Sequence, residues 1–309
     1  MIRYYSTNRR LAGVDGITPF KGQVSFRDAL IQGQAPDEGL FMPEPIPALS
    51  IGEVLALKGA PYAETALLVA EAFLKDELPR EALREIVEDS YNFDVPLERV
   101  SGRLYIMRLD RGPTASFKDF AARMMARLMS RMRDRGKRLN VLVATSGDTG
   151  SAVGEAFKGV EGIGVTILYP RGEVSGMQKK QLDTIGGNVL ALSVDGKFDD
   201  CQDLVKQAFS DPGLAHLNLT SANSINFGRI LPQSVYYVYA YGRLAEPGEE
   251  IVFSVPSGNF GNALGCEYAR RMGLPVRMLV MPTNENDEFP DYLRTGVYEK
   301  VSPSRACLS

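Results

Sequence analysis

The sequence predicts an α/β protein with open, mostly parallel twisted sheets and helices on both faces. From Leu104 onward, short apolar segments alternate with longer segments whose apolar residues repeat at helical spacing. Short apolar strands separated by helices are typical of a parallel sheet that is covered on both sides. Residues 1–100 show helical spacing in most segments, so we expect a small, mainly helical N-terminal domain to precede an α/β region at 101–309.

Four helical candidates lie in the first hundred residues. Val24–Ile31 is short and amphipathic, while Ile51–Leu57, Tyr62–Leu74 and Pro79–Tyr91 repeat apolar residues at helical intervals. Glycine and proline are frequent from Gly33 to Pro47, which predicts irregular structure there.

The elements predicted after Leu104 alternate regularly. The predicted strands are Leu104–Leu109, Leu139–Ala144, Val165–Tyr169, Val189–Val194, Leu217–Leu219, Ile251–Val255 and Val276–Val280. The predicted helices are Asp119–Arg138, Thr149–Lys158, Gly176–Ile185, Asp199–Phe209, Ile225–Leu244 and Asn262–Met272. Pro232 falls inside one of these helical segments and should kink that helix or mark its true beginning.

Composition excludes several classes of protein. The chain has 309 residues, of which 44% are hydrophobic and 24% charged, and its net charge is -3. An acidic balance argues against nucleic acid as the main partner. No apolar run approaches the roughly 18 residues that a membrane span needs, and the first ten residues lack the apolar core of a signal peptide. We therefore expect a cytoplasmic protein that does not bind membranes.

Cysteine and histidine are scarce. Cys201, Cys266 and Cys307 are widely spaced, which suggests a reducing compartment, no disulfide framework and no metal site. The single histidine, His216, lies in a polar turn, and no nucleophile motif supports a Ser-His-Asp or Cys-His mechanism around it. Chemistry is therefore expected from carboxylates, lysine or an organic cofactor.

Lys118 is the first candidate for such chemistry. It follows small and hydroxyl residues, lies between Phe117 and Phe120, and comes just before the predicted helix at Asp119. A lysine beside aromatic residues at a strand-to-helix junction is partly desolvated, which lowers the pKa of its amine and favours attack on a carbonyl. Taken alone, the segment also suits an ordinary surface lysine beside a capping acid.

Three loops of small residues follow predicted strands, at Thr145–Ser151, Thr220–Arg229 and Ser254–Asn262. Ligands bind at the carboxyl ends of strands in an open parallel sheet, and a helix that begins there attracts anions. Each loop alone also suits a capped helix start. The glycine-rich loops lack the spacing of nucleotide-binding and dinucleotide-binding loops. A lysine nucleophile with a separate anion site suggests pyridoxal phosphate.

Together these segments resemble threonine synthase, a pyridoxal-phosphate-dependent family of the tryptophan-synthase-β fold, known as fold type II. The resemblance runs through the chain in the order of the family, and the N-terminal part is similar to the lead-in domain of one branch. The matching segments are Tyr4–Thr7, Val24–Leu30, Ala35–Phe41, Gly112–Phe120, Ala144–Gly150, Leu168–Gly172, Asn223–Asn226 and Val255–Gly261.

The resemblance implies a lyase that converts O-phospho-L-homoserine and water to L-threonine and phosphate, the last step of threonine biosynthesis. It implies that Lys118 holds pyridoxal 5'-phosphate as a Schiff base, with Asp148 near the phenolic oxygen of the cofactor. The residues implied to bind the cofactor phosphate are Ser257, Gly258, Asn259, Phe260 and Gly261. The residues implied to bind the substrate are Thr145, Ser146, Thr149, Ser221, Asn223, Asn226 and Arg229.

The family's sequences continue well beyond the region that corresponds to Val301–Ser304. We therefore expect a catalytic region that is incomplete at its C-terminus, with weak stability and little or no activity. Two alternatives stay open. One is a phospho-lyase or dehydratase that gives a 2-keto acid with the same cofactor, and the other is a truncated, inactive protein. The sequence does not decide between a monomer and a homodimer.

Overall fold

Helices pack on both faces of a parallel sheet in the computed structural model of the chain, which describes residues 1–11, 13 and 16–299. The predicted α/β fold class is confirmed. Cys307 and the rest of the segment from Val301 onward lie outside the described residues.

Strands and helices alternate along most of the described chain. The strands are β1 (Arg3–Ser6), β2 (Gln23–Val24), β3 (Phe41–Glu44), β4 (Leu97–Ser101), β5 (Leu104–Met107), β6 (Leu139–Ala144), β7 (Ile163–Pro170), β8 (Val189–Val194), β9 (Leu219–Ser221), β10 (Ile251–Ser254) and β11 (Val276–Val280). The helices are α1 (Phe26–Gln32), α2 (Ile51–Ala56), α3 (Tyr62–Leu74), α4 (Arg80–Ser90), α5 (Lys118–Met132), α6 (Asp148–Phe157), α7 (Gly176–Thr184), α8 (Phe198–Ser210), α9 (Phe227–Leu244), α10 (Gly261–Arg271) and α11 (Glu288–Thr295). A 3-10 helix spans Pro212–Leu217.

The main sheet contains four parallel strands in the order β8-β7-β6-β9. Val141 of β6 pairs with Val165 on one side and with Thr220 on the other. Strands β10 and β11 form a second, two-stranded parallel sheet. Because parallel strands share a direction, the loops that follow β6 and β9 leave the main sheet at the same edge.

Side chains of β6 alternate between two apolar clusters. Val141 and Val143 pack in the large core, together with residues of α5 and α6. Leu142 and Ala144 pack on the opposite face against Cys201 and neighbouring residues of α8. Successive residues of a strand point to opposite faces, so an apolar run through β6 is what a strand covered by helices on both sides requires.

Residues 1–100 form four helices and a small antiparallel sheet in the order β2-β1-β3. Their core is continuous with that of the α/β region. The ring of Phe227 in α9 lies 5.3 Å from the ring of Tyr4 and 5.8 Å from that of Phe73, centroid to centroid. The division of the chain at residue 100 stays a prediction.

Some predicted elements differ from the structure. Leu104–Leu109 was expected to begin the parallel sheet, but β5 pairs with β4 in a separate antiparallel hairpin. The segment Gly33–Pro47 was expected to be irregular, yet it contains β3. That strand lies at the edge of its sheet, where Pro43 needs no N–H partner on its outer side.

Two predicted helices also have different limits. The helix predicted at Asp119–Arg138 ends at Met132, because Arg133 already has extended backbone. The helix around Pro232 begins at Phe227, so Pro232 does not mark its beginning. The strand predicted at Leu217–Leu219 lies two residues later, and a 3-10 helix occupies the chain before it.

Candidate active site

Lys118 is the first residue of α5, and the loop before it is held by the next residue. The carboxylate of Asp119 accepts hydrogen bonds from the backbone N–H of Thr114 at 2.8 Å and from its hydroxyl at 2.6 Å. A Cβ added to Gly112 would lie 2.5 Å from Asp119 Oδ2, so only glycine allows this approach. Ala115 has a positive φ of 56°, a conformation that needs such support from its surroundings.

The amine of Lys118 lies between a carboxylate and an aromatic ring. Its Nζ is 3.6 Å from Asp148 Oδ2 and 4.6 Å from the centroid of the Phe117 ring. Burial lowers the pKa of Lys118; the Asp148 carboxylate opposes this effect and the positive charge of Arg229 adds to it. The desolvation predicted from the sequence is therefore present, and it favours a neutral amine.

The loop after β6 brings Asp148 to this position. Thr145 is buried, and its Oγ1 accepts hydrogen bonds from the backbone N–H groups of Gly147 at 2.9 Å and Gly150 at 2.8 Å. These bonds turn the chain so that α6 begins with Asp148. The Thr145 hydroxyl oxygen thus holds the loop backbone, and its contact with a substrate stays a prediction.

Two other hydroxyl residues of this loop have freer side chains. Ser146 is exposed and Thr149 is half-buried. In the part of the chain that the structure describes, neither hydroxyl makes a hydrogen bond to another residue. Thr149 is in the first turn of α6 and Ser146 lies two residues before that helix, whose free N–H groups favour an anion.

The loop after β9 is joined to the loop after β6. Asn223 Nδ2 donates to the carbonyl oxygen of Ala144 at 2.9 Å, and the N–H of Asn223 donates to Ser221 Oγ at 3.1 Å. Asn223 and Ser221 are therefore close to the end of β6, and their contact with a substrate stays a prediction. Their present hydrogen bonds hold the two loops together.

Asn226 is fully buried at the start of α9, and both the nitrogen and the oxygen of its side-chain amide form hydrogen bonds within the protein. Nδ2 donates to the carbonyl oxygens of Leu30 at 2.9 Å and Ser221 at 3.0 Å, while Oδ1 accepts from the N–H of Gly228 at 2.9 Å. The structure does not present this amide to the space beside Lys118. Substrate binding by Asn226 stays a prediction, and its visible contacts join α1, β9 and α9.

Arg229 is a buried cation with unmet hydrogen-bonding capacity. Its guanidinium donates to the carbonyl oxygen of Ala222 at 2.8 Å, while its buried Nε finds no partner within the described part of the chain. No carboxylate of the described residues forms a salt bridge with it, although the charge of Asp119 acts from farther away. Burial lowers the pKa of Arg229 to about 10. An unpaired buried guanidinium is suited to bind an anion.

The loop after β10 leads to the N-terminus of α10. Ser257 Oγ donates to Asn262 Oδ1 at 2.6 Å, and Asn262 Nδ2 donates to the carbonyl oxygen of Pro256 at 2.9 Å. Phe260 has a positive φ of 55°, which turns the chain into the helix. A Cβ on Gly258 would meet nothing within 4 Å, so the loop has open space beside it.

The loops after β9 and β10 also approach each other. A Cβ on Gly261 would lie 3.3 Å from Ser224 Oγ and 3.4 Å from Gln233 Nε2. Asn259 is exposed in the same loop. The predicted residues thus form one connected region in which the loop after β9 lies between the other two, and Asp148 and Arg229 act on Lys118.

Sequence reasoning missed three residues that shape this region. They are Gln178, whose Nε2 donates to Asp148 Oδ1 at 2.7 Å, Asn262 and the loop-holding Asp119. The spacing Ser175-x-x-Gln178 is a capping-box pattern, and it agrees with the predicted start of α7 at Gly176. No sequence pattern pairs Gln178 with Asp148, because the two residues are brought together only by the packing of α6 and α7.

This donor set fits pyridoxal phosphate. The amine of Lys118 has a lowered pKa, the buried Nε of Arg229 has no hydrogen-bond partner among the described residues, and a loop with open space beside Gly258 precedes a helix N-terminus. Such a site can take an aldehyde at the amine and phosphate groups at the helix starts.

The fold and this site define a class of protein, the pyridoxal-phosphate-dependent enzymes of fold type II. The family model described as "Pyridoxal-phosphate dependent enzyme" matches residues 92–308. A second model, "Threonine synthase N terminus", matches residues 16–91.

Relatives identify the family within this class. Threonine synthase from Haemophilus influenzae is 45% identical over 280 residues, which cover 90% of this chain and 65% of the relative. The Escherichia coli enzyme is 42% identical over 289 residues, which cover 93% of this chain and 67% of the relative. The chain belongs to the threonine synthase family.

A solved structure agrees with this assignment. The crystal structure of PLP-bound threonine synthase from Brucella melitensis superposes with a TM-score of 0.88 at 38% identity, covering 99% of this chain and 65% of that one. The chain thus spans about two thirds of the length of the relatives it matches. Among the described residues, no helix is both long enough and apolar enough to span a membrane.

Proposed function

We propose that the protein is a threonine synthase, which converts O-phospho-L-homoserine and water to L-threonine and phosphate by pyridoxal-phosphate-dependent β,γ-elimination and replacement. The observation that carries this proposal is the position of the Lys118 amine beside Asp148, where the loops after β6 and β9 meet. The names of its relatives and the PLP-bound state of the Brucella melitensis enzyme support it.

Lys118 would hold the cofactor, with Asp148 beside it. The loop after β10 would hold the cofactor phosphate through Ser257, Gly258, Asn259, Phe260 and Gly261, which is supported by the helix N-terminus that follows. When bound, pyridoxal phosphate supplies a ring that accepts the electron pair left on a substrate carbon after proton removal.

Lys118 Nζ would also move the proton of the substrate α-carbon. Burial disfavours the charged ammonium, so at neutral pH more of the amine is neutral and able to take a proton than in an ordinary lysine. Asp148 then stabilises the ammonium that forms, because its Oδ2 lies 3.6 Å away. The two opposing influences keep the amine usable as both base and acid.

The residues proposed to bind the substrate fall into three groups. Ser146 and Thr149 have hydroxyls that can contact an anion directly. Arg229 supplies a buried positive charge for the phosphate that leaves. The others act by shaping the loops; they are Thr145, Ser221, Asn223 and Asn226.

The test incubates the chain with pyridoxal phosphate and O-phospho-L-homoserine, and measures threonine and released phosphate. We expect whatever turnover occurs to release both products in equal amounts. Lys118→Ala should abolish turnover and the visible absorbance of protein-bound cofactor, while Lys137→Ala should change neither. Release of 2-oxobutyrate instead of threonine would favour the phospho-lyase or dehydratase, and cofactor binding without turnover would favour the inactive form.

We also propose a cytoplasmic location. Cys201 and Cys266 are buried free thiols, which suit a reducing compartment. The partner in this proposal is the small-molecule substrate.

A further inference from the structure

Gln178 makes a contact that the proposed reaction does not use. It lies in the first turn of α7, and its amide joins that helix to the loop after β6. Nε2 donates to Asp148 Oδ1 at 2.7 Å, while the other carboxylate oxygen of Asp148 faces Lys118 Nζ at 3.6 Å. A Cβ on Gly147 would lie 2.4 Å from this amide, so the glycine is what allows Gln178 to approach the loop.

The orientation of the Gln178 amide follows from its second partner. The backbone N–H of Ser175 can only donate, and it lies 2.9 Å from Oε1 of Gln178. The amide oxygen must therefore face Ser175, and the NH2 group must face Asp148. Ser175 Oγ accepts from the N–H of Gln178 at 3.2 Å, which completes a capping box. The side chain is thus fixed at both ends.

We propose that Gln178 is a positioning residue that holds the Asp148 carboxylate turned toward the Lys118 amine. The role of Lys118 in catalysis rests on the proposed function, whereas the hydrogen bond between Gln178 and Asp148 does not. The Asp148 side chain is 39% exposed, and among the described residues its carboxylate has no hydrogen-bond donor other than Gln178 and Lys118. Without Gln178, water would compete for the carboxylate and weaken its hold on the amine.

The other groups around Lys118 do not substitute for Asp148. Asp119, the next residue of α5, turns its carboxylate back to Thr114. From α9, Arg229 brings a positive charge, and the Tyr236 hydroxyl donates to the carbonyl oxygen of Phe117 at 2.9 Å. Asp148 is therefore the carboxylate that favours the ammonium form of Lys118, and Gln178 acts on the amine through it.

The test measures how fast acetic anhydride acetylates Lys118 in the cofactor-free full chain as a function of pH. Mass spectrometry reads the peptide that contains Lys118, with the exposed Lys137 as internal standard. Gln178→Leu removes the donor at similar volume. We expect its Lys118 profile to move to lower pH, with acetylation at neutral pH about twofold to fivefold faster, the factor that corresponds to weakening a partly solvated charge pair.

Two comparisons separate positioning from a purely structural role. Ser175→Ala weakens the cap of α7 but leaves both contacts of the Gln178 amide, so the Lys118 profile should not move. In an Asp148→Asn background, Gln178→Leu should have no further effect, because the carboxylate through which it acts is absent. Circular dichroism checks the fold of each variant, and Gln178→Met replaces Gln178→Leu if the latter is unfolded.

An unchanged profile in Gln178→Leu would overturn the proposal, as would an equal shift in Ser175→Ala. A shift of the same size in the Asp148→Asn background would also overturn it, because Gln178 would then act by another route. None of these measurements requires bound cofactor or turnover, so their failure is distinct from failure of the proposed function.

Discussion

Lys118 is half-buried and Arg229 is fully buried, and these two cations of one site differ in their partners. Lys118 faces the Asp148 carboxylate at 3.6 Å, while Arg229 is paired with a carbonyl oxygen and has no carboxylate partner among the described residues. Burial of a charge without a counter-charge costs stability unless a bound group compensates it. Burial lowers the pKa of both side chains, and only at Lys118 does a nearby carboxylate, Asp148, oppose this effect directly. The Arg229 guanidinium is thus a buried positive charge without a carboxylate partner among the described residues, and it lies where we propose that the substrate phosphate binds.

Replacing Arg229 should separate anion binding from stability. In Arg229→Met we expect the unfolding temperature without ligand to stay equal or to rise, because the buried charge is removed. Inorganic phosphate should raise the unfolding temperature of the parent chain, since a ligand that binds only the folded state stabilises it. That rise should be lost in Arg229→Met. Thermal unfolding with and without phosphate, at constant ionic strength, measures both effects.

Arg243→Met is the matched control for this prediction. Arg243 is also in α9 and donates to the carbonyl oxygen of Ala60. Its Nε is likewise buried, with no partner in the part of the chain that the structure describes. It lies in the last turn of the helix, away from Lys118. Phosphate should therefore still stabilise Arg243→Met. Equal phosphate stabilisation of the parent and Arg229→Met would contradict an anion site at Arg229.

At the residue level, sequence patterns identified residue types better than their contacts. The segment before Lys118 predicted a desolvated amine, because aromatic neighbours and a helix start are local features. The contact between Asp148 and Gln178 spans 30 residues, and the bond between Asn226 and Leu30 spans 196. Such pairs depend on how helices pack, which no local pattern contains.

At the level of elements, the start of α9 connects three parts of the chain. The amide of Asn226 caps the helix by accepting from Gly228, and it donates to the ends of α1 and β9. Downstream in the same helix, Gln233 Nε2 donates to the carbonyl oxygen of Arg229 at 2.6 Å. The residue before Gln233 is Pro232, which has no backbone N–H to donate within the helix. The helix that carries Arg229 is therefore fixed at its first turn by side-chain amides.

Asn226→Ala should destabilise the protein by about 2–4 kcal/mol, the sum of one helix cap and two buried hydrogen bonds. Asn226→Ser keeps an oxygen that can accept from Gly228 but loses both donors, so it should recover about 1 kcal/mol of that loss. Urea unfolding followed by circular dichroism measures the free energy of unfolding of each variant. If the two variants were equally stable, the cap would contribute nothing at this helix.

Among the elements, two strands of the main sheet, β6 and β8, were easier to predict than the hairpin. The observed limits of β6 and β8 equal the predicted ones, because each is an apolar run that turn residues bound on both sides. In β5 the apolar pattern predicted a buried strand, yet Leu104 and Ile106 are 59% and 54% exposed. Apolar residues indicate a strand but do not say which strand it pairs with or whether both faces are covered.

At the level of the whole molecule, the N-terminal hundred residues share one core with the α/β region. Besides its contacts with Tyr4 and Phe73, the Phe227 ring lies 5.3 Å from the ring of Tyr268 in α10. Tyr62 of α3 contacts Phe120 of α5 and Tyr239 of α9, with ring centroids 5.2 Å and 5.0 Å apart. Aromatic side chains dominate the energetics of such cores, so these contacts couple the two parts.

This shared core predicts that residues 1–100 do not unfold before the α/β region. The chain contains no tryptophan, so a single introduced tryptophan reports on its own surroundings. Phe20→Trp places a probe in the N-terminal part, and Phe198→Trp places one at the start of α8. Both positions are half-buried, which makes the substitutions mild.

We expect the two fluorescence transitions in urea to have the same midpoint and to coincide with the loss of helical circular dichroism, as one cooperative unit requires. A Phe20→Trp transition at lower urea than that of Phe198→Trp, with equal stability of both variants by circular dichroism, would show instead that the N-terminal part is an independent domain.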